Sequence, residues 1–204
     1  MILEKISVGA LQVNCYILAS QRDSPAIIID PGAEGRKIQR VLDKYNLKPA
    51  FIINTHGHYD HIGADDQFKV PVYVHKLDAP MLKDAQLNMS GLFSLPCTVK
   101  SEILLLEDNQ VIGASGIQLK VVHVPGHTAG GIALLLQEPP GKIAFTGDTL
   151  FCQGVGRWDL AGGSEAALMK SIKERLFILP DDTRIYPGHG PDSTIGREKK
   201  NNLI

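Results

Sequence analysis

An α/β or α+β fold, with sheets covered by helices, is predicted by three features of this sequence. Short continuous apolar runs of strand length recur along the chain, two longer stretches place apolar residues at helical spacing, and the runs stop at glycine- or proline-containing turns. The 204 residues are 44% hydrophobic, enough to fill one core, so residues 1–204 are read as a single domain.

In chain order, the first twenty residues read as short strands, clearest at 13–18. Residues 26–29 form an apolar strand that stops at the turn Asp30-Pro31-Gly32. Over 34–45 the apolar residues Ile38, Val41, Leu42 and Tyr45 share one helical face. Strands follow at 50–54, 70–75 and 117–124. Residues 132–136 and 142–145 read as a strand pair joined by a turn at Glu138-Pro139-Pro140-Gly141. Ala167, Leu168, Ile172 and Leu176 make 164–176 the second helix, and 183–186 a last strand.

Composition excludes several classes of function. Lys+Arg is 21 against Asp+Glu 22, so no basic excess points to nucleic acid or an anionic membrane, and a small-molecule substrate is expected. The longest apolar runs, such as 132–136, fall far short of the roughly 20 residues that span a bilayer. The N-terminus carries no pattern of a secretory signal, which predicts a cytoplasmic protein. Cys15, Cys97 and Cys152 are widely spaced with no CxxC, and are expected as reduced, buried, structural thiols.

The informative pattern is where the strands end. Residues 50–54 run into Thr55-His56-Gly57-His58-Tyr59-Asp60-His61, 117–124 into Pro125-Gly126-His127-Thr128, 142–145 into Thr146-Gly147-Asp148-Thr149, and 183–186 into Pro187-Gly188-His189-Gly190. Five of the seven histidines lie in these places. Residues two apart in extended backbone point to the same side, so His56 and His58 can meet one cation, with Asp60 and His61 facing a neighbouring one. His127 and His189 fit as the third imidazole of each, and Asp148 as a carboxylate able to bridge both. The set offers nitrogen and oxygen but no sulfur, which suits zinc first, with iron or manganese as alternatives.

The segment His56-Gly57-His58-Tyr59-Asp60-His61 resembles the signature of the metallo-β-lactamase superfamily, and Gly126-His127-Thr128, Gly147-Asp148-Thr149 and Gly188-His189-Gly190 resemble its later motifs in the same order. Within it, Gly147-Asp148-Thr149-Leu150-Phe151, Gly156-Arg157-Trp158-Asp159, Tyr186-Pro187-Gly188-His189-Gly190 and Thr194-Ile195-Gly196-Arg197-Glu198-Lys199 resemble glyoxalase II (hydroxyacylglutathione hydrolase) and its short bacterial relatives. The resemblance covers the whole chain. The full-length enzyme carries a further C-terminal helical domain that contacts glutathione, and these 204 residues hold no counterpart.

The resemblance implies an αββα four-layer sandwich. It assigns His56, His58 and His127 to one metal, Asp60, His61 and His189 to the other, and Asp148 to both. It further implies hydrolysis of a thioester, S-lactoylglutathione or a related hydroxyacyl thioester, by a hydroxide shared between two divalent cations, whose water is acidified from about 15.7 toward neutrality. Asp60 would also orient that hydroxide. A thiolate needs little protonation to depart, which suits a site without an evident general acid. Alternatives on the same fold are a persulfide dioxygenase with one iron and a lactone hydrolase. A non-catalytic di-iron redox module would usually carry a fused flavin domain, which nothing here resembles. One large class of true β-lactamases uses a cysteine ligand and no bridging aspartate, so Asp148 speaks against antibiotic hydrolysis.

Other positions carry weaker signals. Thr55, Thr128 and Thr149 flank the ligands and either support them by hydrogen bonds or cap local turns. His123 leads in phase to His127, and a satisfied core histidine is the simpler reading; His75 is expected as an ordinary surface or strand-end residue. Arg157 is a candidate substrate-binding residue, an ion pair with Asp159 being the plainer role. Residues 79–95, with Met81, Met89, Leu92 and Phe93, are a candidate helical flap over the metals, or simply core. Lys199-Lys200 reads as a solvated pair. Monomer and homodimer are both compatible with the sequence.

Overall fold

Alternating side chains along the strands build two sheets whose inner faces share one core. The computed structural model describes residues 1–93, 96–137 and 142–202. The first sheet holds β1 (Ile2–Val8), β2 (Val13–Ala19), β3 (Pro25–Ile29), β4 (Lys48–Ile53), β5 (Val72–His75) and β6 (Ile103–Leu106) side by side in sequence order. It is antiparallel from β1 to β3 and parallel from β3 to β6. The second sheet contains β7 (Val111–Ala114), β8 (Ile117–His123), β9 (Ile132–Leu136), β10 (Ile143–Gly147), β13 (Arg184–Pro187) and β14 (Ser193–Thr194), in the order β14-β13-β10-β9-β8-β7. Only β10 and β13 run parallel there. A small hairpin, β11 (Leu150–Phe151) and β12 (Gly154–Val155), stands apart.

The period of two decides which layer each residue joins. On β2, Tyr16 and Leu18 face the second sheet, while Val13, Cys15, Ile17 and Ala19 pack with Ile38 and Leu42 of helix α1 (Gly35–Lys44). On β9, Ile132, Leu134 and Leu136 point inward, whereas Ala133 and Leu135 pack with Leu168 of helix α3 (Glu165–Ser171) and with Ile172. The layers are therefore helix, sheet, sheet, helix: the αββα sandwich expected. Both strands are buried on both faces, which is why they read as nearly continuous apolar runs, broken in β2 by Asn14, whose amide donates to the Pro187 and Gly190 carbonyls.

The two helices expected from periodicity are present with trimmed ends. Ser164, extended at φ −158, caps α3 by accepting the Ala167 N–H at 3.3 Å. Beyond Ser171 the helix widens into a π turn over Ile172–Leu176, so the expected span is kept but not as one regular helix. Ser164→Ala is predicted to cost about 1 kcal/mol of stability, seen as a shift in the denaturation midpoint with unchanged slope.

Several elements differ from expectation. Strands β6 and β7 and helix α4 (Ile195–Asn201), capped by Thr194, were not predicted. The expected flap is not a helix: Ala79–Lys83 and Ser90–Phe93 form separate 3₁₀ turns, and residues 94 and 95 lie outside the described residues. Strands β9 and β10 pair antiparallel as expected, but the turn at 138–141 also lies outside them. No described helix is long and apolar enough to cross a membrane.

Candidate metal centre

Segments leaving the C-terminal ends of β4, β8, β10 and β13 bring the five imidazoles and two carboxylates together. The short helix α2 (Tyr59–Ile62) starts just after His58, so Asp60 and His61 sit on a helical turn while His56 and His58 precede it. Three groups form, each with ligand atoms within 4.8 Å of one another: His56, His58 and His127; His56, His61 and Asp148; Asp60, His61 and His189. Asp148 is common ground. Its Oδ1 lies 3.4 Å from His61 Nε2, and its Oδ2 lies 3.7 Å from His127 Nε2 and 3.5 Å from His189 Nε2.

The outer ring nitrogens are anchored, which aims the inner ones at a common centre. His127 Nδ1 donates to the Arg157 carbonyl at 2.7 Å and His189 Nδ1 to the Leu11 carbonyl at 3.0 Å. His56 Nδ1 lies 3.2 Å from the Thr55 hydroxyl, which itself donates to Asp30 at 2.7 Å. His61 Nδ1 is 3.0 Å from the same Asp30 carboxylate, though not aligned for a hydrogen bond. Inside the cluster, His58 Nδ1 and His127 Nε2 face each other at 2.9 Å, and His56 Nε2, His61 Nε2 and Asp148 Oδ1 are buried with no hydrogen-bond partner. Buried polar atoms are nearly always partnered, so converging lone pairs of this kind fit divalent cations held by nitrogen and oxygen.

The electrostatics divide the cluster, with His56 and His58 held neutral while His61 and His189, against burial, are pushed toward the protonated form by the carboxylates beside them. Burial, reinforced by the neighbouring imidazoles, pulls His56 well below the usual histidine range and His58 down to about 3, so both rings are neutral, as ligands must be. Burial opposes ionisation of Asp60 and Asp148, yet adjacent His61 and His189 outweigh it and hold both carboxyls below their ordinary range. His189 is correspondingly lifted to about 9: burial alone would lower it, but Asp148 and Asp60 prevail.

Two supporting carboxylates escaped the sequence reading. Asp30, taken there only as a turn residue, accepts from the Thr55 N–H and hydroxyl, both at 2.7 Å, and backs His56 and His61. Asp78 is fully buried and joins two ligand loops, accepting from the Gly57 N–H at 3.1 Å, the Thr128 hydroxyl at 2.7 Å and the Gly130 N–H at 2.6 Å. No local spacing marks either residue. Asp78→Ala strands three donors, each costing roughly 1–3 kcal/mol if left unpaired. It is predicted to lower Tm and to weaken metal affinity about 10- to 100-fold, measured by chelator competition.

Of the weaker candidates, Thr55 and Thr128 donate to carboxylates that position the ligand loops. His123 gives its Nε2 to the Ala129 carbonyl at 2.9 Å, within the His127 loop. His75 does end β5, but it is buried and stacked on His123 with centroids 4.1 Å apart, not a surface residue. Cys15 is buried, whereas Cys97 and Cys152 are only half-buried, because they sit on loops and not in strands; all three are free. Lys199 is bonded to Asp181 at 2.6 Å. A cavity of about 320 Å³ opens over the cluster, and Arg157, Met89 and Phe93 line it. Arg157 also holds Asp159 through two hydrogen bonds of 2.8 and 2.9 Å, so the expected ion pair and the expected place at the site are both present.

An αββα sandwich with such a His/Asp cluster at the strand ends defines a metal-dependent hydrolase fold. The chain belongs to the metallo-beta-lactamase superfamily, whose profile matches residues 8–189. Among curated proteins it is similar to the probable metallo-hydrolase YqgX of Bacillus subtilis (36% identical, covering 97% of this chain and 94% of that one). It is 34% identical to the hydroxyacylglutathione hydrolase GloC of Haemophilus influenzae, over 99% and 97% of the two chains. Among solved structures it resembles the B3 metallo-beta-lactamase BLEG-1 (TM-score 0.92, 36% identical, 99% and 98% covered) and TTHA1623 in a di-iron-bound form (TM-score 0.83, 34% identical, 98% of each).

Proposed function

We propose that this protein is a binuclear metal-dependent thioester hydrolase acting on S-lactoylglutathione or a related hydroxyacyl thioester. The observation that carries the proposal is the position of Asp148, whose two oxygens reach both halves of the imidazole cluster. His56, His58 and His127 would hold one cation, Asp60, His61 and His189 the other, and Asp148 both. Two such cations, zinc by donor chemistry and iron as in the di-iron neighbour, would supply an acidified water and an electrophile for the substrate carbonyl.

The chain's own residues do the rest. Asp60, held ionised, accepts a hydrogen bond from the attacking water and fixes its direction. Among the residues that line the cavity, the acids and imidazoles belong to the cluster and Arg157 is paired with Asp159. Among the described lining residues no carboxyl or imidazole outside the cluster is left to protonate a leaving group, and the Tyr59 phenol is a weak acid, which favours a group that departs as an anion. A thiolate does so near neutral pH; an ordinary amide nitrogen does not.

The likeness to BLEG-1 supports a second reading, opening of a strained β-lactam amide. The test assays metal-loaded protein on S-D-lactoylglutathione and a chromogenic β-lactam, with kcat and KM separated. Saturable thiol release that exceeds β-lactam turnover is expected. Thiol release from no thioester, faster opening of lactones, or oxygen uptake on glutathione persulfide with one iron per chain would replace the proposal.

A further inference from the structure

The outer half of the cavity has a chemistry of its own. Beyond the cluster its wall consists of Leu11, Tyr59, Met89, Phe93 and Leu160, with Arg157 as the one cation among the described lining residues. Tyr59 and Phe93 pack as a tilted ring pair, centroids 5.1 Å apart, at the mouth. Leu11 and Phe93 are 51% and 55% exposed and share this wall with Tyr59, Met89 and Leu160, so the apolar surface there is contiguous, as at a binding groove. The Arg157 fork is filled by Asp159. A glutathione arm brings two carboxylates and one ammonium group to a wall whose single guanidinium is already paired with Asp159.

The geometry points to thioesters that carry an uncharged apolar or aromatic arm as the preferred substrates, with Tyr59 and Phe93 as the surface on which that arm packs. This rests on the thioesterase reading above and deepens it. An aromatic arm gains by stacking on the Tyr59–Phe93 pair and by drying Leu11 and Met89. A charged arm must stay hydrated, share Arg157 with Asp159 or displace Asp159. Specificity is thereby set by the 3₁₀ turn at Ser90–Phe93, which no metal ligand occupies.

The test compares three thioesters on the metal-loaded full chain: S-D-lactoylglutathione, S-D-mandeloylglutathione, which places a phenyl ring on the acyl side, and the D-lactoyl thioester of benzyl mercaptan, which places it on the thiol side. At least one aromatic-armed compound is expected to exceed S-D-lactoylglutathione in kcat/KM by about tenfold or more, the effect of burying one ring. Phe93→Ala is expected to erase most of that advantage through KM, and Asp159→Asn to lower KM for S-D-lactoylglutathione several-fold by freeing Arg157. S-D-lactoylglutathione turned over as well as both aromatic compounds, or an advantage that Phe93→Ala leaves in place, would overturn the assignment and keep the thioesterase. Unchanged KM for Asp159→Asn would overturn the role given to Arg157. Thiol release from none of the three would sink the thioesterase reading itself.

Discussion

Protein carrying Asp148→Ala is expected to retain at most one divalent cation per chain and to lose at least about a thousandfold in kcat/KM, equivalent to about 4 kcal/mol of transition-state stabilisation. The reason is geometric. Asp148 lies within 3.7 Å of ring nitrogens from His61, His127 and His189, so its removal takes an oxygen donor from both halves of the cluster at once. It also leaves His61 and His189 without one of the charges that raise their proton affinity. Metal analysis of the purified variant, beside its thiol-release rate, reads both effects. Two cations still bound per chain would refute the shared role of Asp148. Asp148→Asn, which keeps the shape and one oxygen, is expected to fall between the two.

Gly32→Ala is expected to be the most damaging of the small substitutions. A Cβ at Gly32 would stand 1.5 Å from the Asp60 carbonyl oxygen, so backbone must move on one side or the other. Gly63 presses on the same place, its own Cβ position being 2.3 Å from the Gly32 carbonyl oxygen. These glycines allow the Asp30 turn and the His56–His61 segment to touch. Overpacking of this kind costs typically about 1–3 kcal/mol and occasionally more. At about 2–4 °C per kcal/mol for a chain of this size, a loss of roughly 3 kcal/mol lowers Tm by roughly 6–12 °C. Because the displaced backbone carries Asp60 and His61, metal content is expected to fall with it. A variant with native Tm and full metal content would show that the turn and the ligand segment need no such close approach.

How much of this was legible in the sequence follows from range. The seven clustered side chains were readable because each sits in a short motif at the end of an apolar strand; the ends of β4 in the first sheet and of β8, β10 and β13 in the second then meet across the two sheets. The strands β2, β3 and β9 were readable because burial leaves them few polar residues, Asn14 in β2 being the exception, whereas their stacking into a sandwich followed from the family resemblance and not from the strands themselves. Asp30 and Asp78 were missed because their partners are remote: Asp78 accepts from Gly57, 21 residues before it, and from Thr128, 50 residues after it. His75 lies at a strand end, one of the two places expected for it, but its burial was missed for the same reason, since its neighbour His123 comes from the other sheet. Strands β6 and β7 were missed because both are short and largely uncovered, with Leu105 and Val111 exposed. The flap failed as a helix since its apolar residues serve two ends, Met81 in the interior and Met89 and Phe93 at the cavity.

The central claim is that one His/Asp cluster holds two cations and that thioester hydrolysis depends on both. It is tested most directly by stripping the protein with a chelator, returning zinc or iron in measured steps, and recording bound metal per chain and S-D-lactoylglutathione hydrolysis on the same samples. The account predicts no thiol release from stripped protein and saturation of both binding and activity at two equivalents. Full activity with no bound metal, or saturation of binding and activity at one equivalent, would contradict it.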